Sequence, residues 1–140
     1  FQRFNGAKRI AKGAELALAF HPLSSLEGKM ALTYTHARDY PHKKTSPLIP
    51  AFKGAGGLQW QALPDLSFFI QGYGVTSRKD SVTKHTLSPY GALHVGGGYD
   101  VTPQASFFWR IENLTNKHYE DAFGYGTRGR GFFIGLEAKT

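Results

Sequence analysis

Six histidines, His21, His36, His42, His85, His94 and His118, are the side chains best suited to bind a metal or carry a proton near neutral pH. None stands in a ligand spacing such as H-E-x-x-H, so most of them read as solvated side chains. The chain has no cysteine, which removes thiolate metal sites, disulfides and cysteine nucleophiles together. Serine, histidine and aspartate occur, but without the G-x-S-x-G elbow that exposes a nucleophile. Gly124, Gly126 and Gly129 spell G-x-G-x-x-G, yet a dinucleotide site needs that loop to open a helix, and here it opens a strand. Arg128 to Gly131 reads RGRG, and the following Phe133 stands where an RNA-recognition strand needs a small residue. The net charge of +7 comes from cations scattered along the chain rather than gathered on one element, which speaks against nucleic acid as a partner. Asn113-Leu114-Thr115 fits a glycosylation acceptor, but Asn113 reads more simply as a strand-end residue whose amide satisfies loop backbone groups. No residue pattern supports an enzyme, a resident cofactor or a metal.

What remains is periodicity. One hundred and forty residues are one domain's worth of chain, and 20 aromatics (11 Phe, 7 Tyr, 2 Trp) give it surface to bury. The longest apolar run is Leu16 to Phe20, far short of the ~20 residues of a membrane helix. Period-two alternation recurs instead, and that period puts alternate side chains on opposite faces of a sheet. It predicts seven strands, over 13–20, 26–36, 53–62, 66–76, 90–99, 106–114 and 131–140, or eight if Phe1 to Asn5 is the tail of an earlier one. In the first, Leu16, Leu18 and Phe20 oppose Glu15, Ala17 and Ala19; in the second, Met30, Leu32 and Tyr34 oppose Lys29, Thr33 and Thr35. The facing of 66–76 stays ambiguous, because Phe68 and Ile70 alternate with Phe69, Gln71 and Tyr73.

The connections alternate in length. Tight joints at Pro22, Pro64 and Pro103 are 42 and 39 residues apart, and between them lie polar loops over 39–50, 77–89 and 115–128. In an antiparallel up-and-down sheet all tight joints then fall at one end and all long loops at the other. Transmembrane β-barrels have this asymmetry, and soluble meanders can share it.

The last 28 residues carry a more specific pattern: Asn113-Leu114-Thr115-Asn116-Lys117-His118-Tyr119, then Gly124-Tyr125, then Gly129-Arg130 and Phe132-Phe133-Ile134-Gly135-Leu136. Upstream stand Gly13-Ala14-Glu15, Thr33-Tyr34-Thr35 and Ile49-Pro50. In order and spacing this resembles the C-terminal β-barrel portion of the TonB-dependent outer-membrane receptors, and the resemblance covers nearly the whole chain. It implies an all-β fold, an antiparallel up-and-down transmembrane β-barrel present as a fragment of about seven strands, with residues 1–140 its C-terminal part. The family's barrel has 22 strands around a plug; neither the plug nor the TonB box that binds TonB is in these residues. The chain also ends on Thr140, where the family commonly ends on an aromatic residue.

The resemblance further implies uptake of an iron chelate such as a ferric siderophore, or of cobalamin, across the outer membrane of a Gram-negative bacterium, energised through TonB. The partners implied are that small-molecule substrate, outer-membrane lipid and lipopolysaccharide, TonB, and the barrel assembly machinery; nucleic acid is not among them. A small complete eight-stranded barrel and a soluble nucleic-acid-binding sheet are the alternatives. Tyr40, Lys43, Lys44, Arg78, His85, Phe123, Tyr125 and Arg128 are the candidate ligand-contacting loop residues. Phe132, Ile134 and Leu136 are the candidate assembly signal on the last strand, which is expected to close the parent barrel.

Two expectations concern faces and charge. Leu16, Leu18, Leu32, Tyr34, Trp60, Trp109, Ile134 and Leu136 should point to lipid, with Glu15, Lys29, Gln59, Arg110, Glu112 and Glu137 pointing to the lumen. At the long-loop end Arg38, Lys43, Lys44, Arg78, Lys79, Lys84, Lys117 and Arg128 outnumber Asp39, Asp80, Glu120 and Asp121 by eight to four. Such a surplus suits steering of anionic ligands or contact with lipopolysaccharide phosphates.

Overall fold

The computed structural model describes residues 8–40, 44–45, 48–80 and 85–138. Its elements in chain order are β1 (Lys8–Leu23), β2 (Leu26–Tyr40), β3 (Lys44–Thr45), β4 (Phe52–Leu63), β5 (Leu66–Val75), β6 (Arg78–Lys79), β7 (Thr86–Leu87), β8 (Tyr90–Thr102), β9 (Ala105–Glu112), β10 (Glu120–Ala122), β11 (Tyr125–Gly126) and β12 (Gly131–Ala138). Seven long strands make one sheet in the order β1-β2-β4-β5-β8-β9-β12, each antiparallel to the next, as the alternation predicts. β1 and β12 are its opposite edges, so the described strands do not close into a small barrel. Phe1 to Asn5, the expected tail of an eighth strand, lies outside the described residues.

The three expected long loops are not plain loops. β3 extends β2 past the reach of β4, β6 pairs with β7, and β10 pairs with β11, so each long connection carries a short ladder. Two-residue runs such as Arg78–Lys79 are too short to show a period in sequence, which is why alternation misses them.

Each tight joint is a two-residue turn, at 24–25, 64–65 and 103–104, and each follows a register shift of one residue on the incoming strand. Pro22 therefore lies in the shift rather than in the turn. Proline has no N–H to give to a ladder, and the irregular stretch between Phe20 and Leu23 asks for none. Neighbouring turns are linked: Gln61 N donates to Ser25 O (2.8 Å), and Asp100 N donates to Asp65 O (2.8 Å).

The ladder register settles the two faces. Leu16 pairs with Leu32, Leu26 with Trp60, Trp60 with Phe68, Phe68 with Gly97, Gly97 with Trp109 and Trp109 with Ile134. Directly paired residues share a face, so this chain of pairs places the whole expected lipid-facing set together. Through Glu15–Thr33, Lys29–Gly57, Gln59–Phe69 and Arg110–Phe133, the expected lumen set falls on the other face. The ambiguous strand is resolved in the same way: Phe68 and Ile70 join the apolar face, and Phe69, Gln71 and Tyr73 the polar one.

The sheet is a single layer, and its burial is inverted relative to a water-soluble protein. Among the described residues the buried hydrophobic side chains are Ala37, Leu87 and Ala92, while Leu16, Leu18, Leu32, Trp60, Ile134 and Leu136 are exposed. No described element covers that apolar face, which is far larger than soluble monomers tolerate. The polar face lines a hollow that includes Glu27, Lys29, Gln59, Gln71, His94 and Arg110. Its charges are paired along single strands, Lys29 with Glu27 at 2.7 Å and Arg110 with Glu112 at 3.0 Å.

Candidate functional site at the long-loop end

The polar face ends, at the long-loop side, in an aromatic cluster. Strands β5 and β8 place Tyr73, Tyr90 and His94 together: the Tyr73 and Tyr90 rings meet edge-on at 6.1 Å, and Tyr73 stacks on His94 at 5.7 Å. The loop after β9 then folds back over them. Tyr119 stacks on Tyr90 at 3.8 Å, and its hydroxyl shares a 2.6 Å hydrogen bond with that of Tyr73.

Arg78 ties two loops to this cluster. Its Nη2 donates to the carbonyl oxygens of Glu120 (2.8 Å) and Asp121 (3.2 Å), and to Asp121 Oδ1 (3.3 Å). The Tyr90 hydroxyl donates to the same carboxylate oxygen at 2.7 Å, and the guanidinium sits 5.3 Å from the Tyr90 ring centre. Arg78 is only 7% exposed, and a cation so far from water needs this set of carboxylate, carbonyls and ring face to offset its lost hydration. Nearby, Phe123 N donates to Asp80 Oδ2 (3.4 Å), and the His85 ring stacks on Phe123 at 4.4 Å. Leu48 N donates to Lys79 O (2.7 Å), so the loop after β2 joins the same assembly.

Asn113 sets the base of the last loop and does what its strand-end position predicts. It adopts a left-handed φ of 50°, which asparagine tolerates better than most residues. Its Nδ2 donates to Lys117 O (2.9 Å) and Arg128 O (3.4 Å), its Oδ1 accepts from Lys117 N (2.9 Å), and it is buried.

The eight candidate contact residues therefore part ways. Arg78 points inward and holds the loops. His85 and Phe123 are stacked on each other, and Tyr125 is 76% exposed at the tip of the β10–β11 hairpin. Arg128 is exposed, with its carbonyl engaged by Asn113. Tyr40 pairs in register with Lys8 on the apolar-face side, away from the cluster. Lys44 is in β3, and Lys43 lies outside the described residues. Tyr73, Tyr90, Tyr119 and Asp121 were not expected in the site. The signal for Tyr90 was present, since it shares the His94 side of its strand, whereas the ambiguous facing of 66–76 hid Tyr73. Among the described residues no three His, Asp or Glu side chains are grouped to hold a metal.

Arg78→Met keeps the apolar stem and removes the guanidinium. Segment 115–128 should then dock less tightly by about 2–3 kcal/mol, since bonds to a charged donor are lost and their acceptors stay behind. Faster amide exchange at Phe123 and Thr127 is the readout. Unchanged exchange would mean that backbone pairing alone holds the loop.

No protein-family model matches the chain. Solved structures do. The ferric-catecholate import receptor Fiu from E. coli K12, in its closed form, superposes with a TM-score of 0.81 at 18% identity, over 94% of this chain and 21% of that one. The copper transporter OprC gives 0.78 at 17% identity, covering 94% and 24%. The G324V mutant of the ferric enterobactin receptor PfeA from Pseudomonas aeruginosa gives 0.79 at 24% identity, covering 91% and 22%. The chain thus spans between a fifth and a quarter of the length of the structures it matches. With its strand order, two-residue turns at one end and long loops at the other, the sheet has the fold of the TonB-dependent receptor barrel, seven antiparallel up-and-down strands of it.

Proposed function

We propose that the chain is part of the barrel wall of an outer-membrane transporter that takes up a ferric siderophore, cobalamin or similar scarce nutrient with energy delivered through TonB. The observation that carries this reading is the apolar face. Aromatic rings bound it at two heights: Tyr34 and Phe52, 4.9 Å apart, toward the long loops, and Trp60 and Phe68, 6.0 Å apart, toward the tight turns. Phe52 and Trp60 lie on one strand, eight residues apart, which is roughly 26 Å at about 3.3 Å per residue. A strand tilt of about 35–45° reduces that to roughly 20 Å of membrane depth, close to the ~25 Å apolar band that aromatic girdles flank in outer-membrane barrels.

The likeness in fold to import receptors and a copper transporter supports transport over catalysis. In this reading the polar face lines the lumen, where TonB acts through parts of the receptor beyond this chain. In the same reading the Tyr73–Tyr90–Tyr119 cluster and the exposed Tyr125 are the side chains that would meet an arriving ligand.

The test is uptake by cells carrying the full-length protein. Radiolabelled ferric catecholate, ferric hydroxamate and cobalamin are offered in turn, with and without TonB. One of these should accumulate only when both proteins are present. Accumulation that is identical without TonB would reject energised transport, and a full-length protein that fractionates away from the outer membrane would reject the barrel reading.

A further inference from the structure

The expected cation surplus at the long-loop end is divided by the sheet. Arg78 is buried, while Arg38 stands on the apolar face and cannot act in the lumen. Following the register outward from Arg38 reveals how charge is distributed between the faces. Every carboxylate of the seven long strands, Glu15, Glu27, Asp39, Asp100, Glu112 and Glu137, is on the polar face. On the apolar face the charged residues are Lys8, Lys12 and Arg38, all in the first hairpin and all exposed. Lys12 pairs in register with His36, Ile10 with Arg38 and Lys8 with Tyr40, so the cations form one patch across two strands. Of the four polar-face cations of these strands, Arg9, Lys29 and Arg110 have a carboxylate within 3.0 Å; among the described residues neither the fourth, Lys53, nor any of the apolar-face three has one.

The height of the patch is as informative as its sign. His36 and Arg38 follow Tyr34 by two and four residues, on the same face as the aromatic ring that marks the edge of the apolar band. At about 3.3 Å per residue they sit roughly 7–13 Å farther along a tilted strand. The headgroup layer extends about 5–8 Å beyond the hydrocarbon on each side of a bilayer. Lys12, at the height of His36, is therefore held in the layer where lipid phosphates lie, Arg38 stands at its outer side, and Lys8, level with Tyr40 two residues farther on, extends the patch beyond it.

We infer that Lys8, Lys12 and Arg38, with His36 beside them, form a docking site on the outer wall for the phosphates of lipopolysaccharide in the surrounding leaflet. Basic side chains next to a bilayer attract anionic lipid, and here neighbouring carboxylates do not neutralise them. The inference rests on the proposed membrane orientation, with the long loops facing outward.

The full-length protein is reconstituted in vesicles with lipopolysaccharide, and the lipid retained per protein is measured. Lys8→Gln/Lys12→Gln/Arg38→Gln should weaken retention roughly fivefold per cation removed. Lys29→Gln/Lys53→Gln/Arg110→Gln, which removes the same charge from the polar face, should leave it unchanged. Enzymatically dephosphorylated lipopolysaccharide, offered to the wild type, should be retained no better than the intact lipid is by the first variant. Equal retention by the wild type and the first variant, or of intact and dephosphorylated lipid, overturns the site. Vesicle flotation and heat-modifiable migration report insertion separately. A protein that inserts but retains lipid equally loses only this site, and a wild type that fails to insert loses the membrane reading and the site with it.

Discussion

Arginine placed at Met30 or Leu93 should cost the inserted protein about 2–4 kcal/mol, whereas arginine at Gln59 or Gln71 should cost far less. Met30 and Leu93 occupy the apolar face midway between the two aromatic levels; on the polar face Gln71 stands at similar depth, and Gln59 lies next to the Trp60 level. A guanidinium at the first pair must bend the bilayer or reach a distant interface, and at the second it enters a polar hollow. Unfolding free energies of the full-length protein in bilayers provide the measurement. Similar costs at all four positions would mean that the faces have been assigned to the wrong environments.

The second large effect is expected at the last strand. Phe132, Ile134 and Leu136 are 70%, 78% and 80% exposed, among the most exposed large apolar side chains described, and they stand together on the edge strand β12. Removing three such side chains from lipid contact forfeits apolar burial on the order of 1.5–3 kcal/mol each. An edge strand must also find a partner before hydrocarbon can surround it. Phe132→Ser/Ile134→Ser/Leu136→Ser should therefore reduce the amount of full-length protein assembled in the outer membrane to a small fraction of wild type. Substituting Phe133, Gly135 and Glu137 by serine in parallel tests whether the effect belongs to the apolar face. Normal assembly of the first variant would remove both the lipid-contact and the assembly-signal roles.

The strands were legible because one face follows a strict rule: Leu16, Leu18, Met30 and Leu32 repeat with period two, and the residues between them keep the phase. The rule fails where both faces carry aromatics. Phe68 and Phe69 are adjacent, and only the pairing of Phe68 with Trp60 and Gly97 shows which of them faces outward. The loop cluster was less legible for a different reason. Arg78 is a plausible surface cation in sequence, and the atoms that draw it inward belong to Glu120 and Asp121, more than forty residues later. No local period encodes such a contact. Asn113 was legible because its task is local, closing the turn onto Lys117 four residues away.

The one-residue register shift before each two-residue turn has a consequence for how such a wall can change over time. An extra residue on a strand inverts the facing of everything beyond it, but here the surplus falls between Phe20 and Leu23, Gln61 and Leu63, and Asp100 and Thr102, after the alternating stretch is complete. Each hairpin thus begins its return strand already in phase with its neighbours. A gene segment encoding one hairpin could be duplicated or deleted without turning any remaining side chain from one face to the other, so a barrel of this fold could evolve its circumference in steps of two strands.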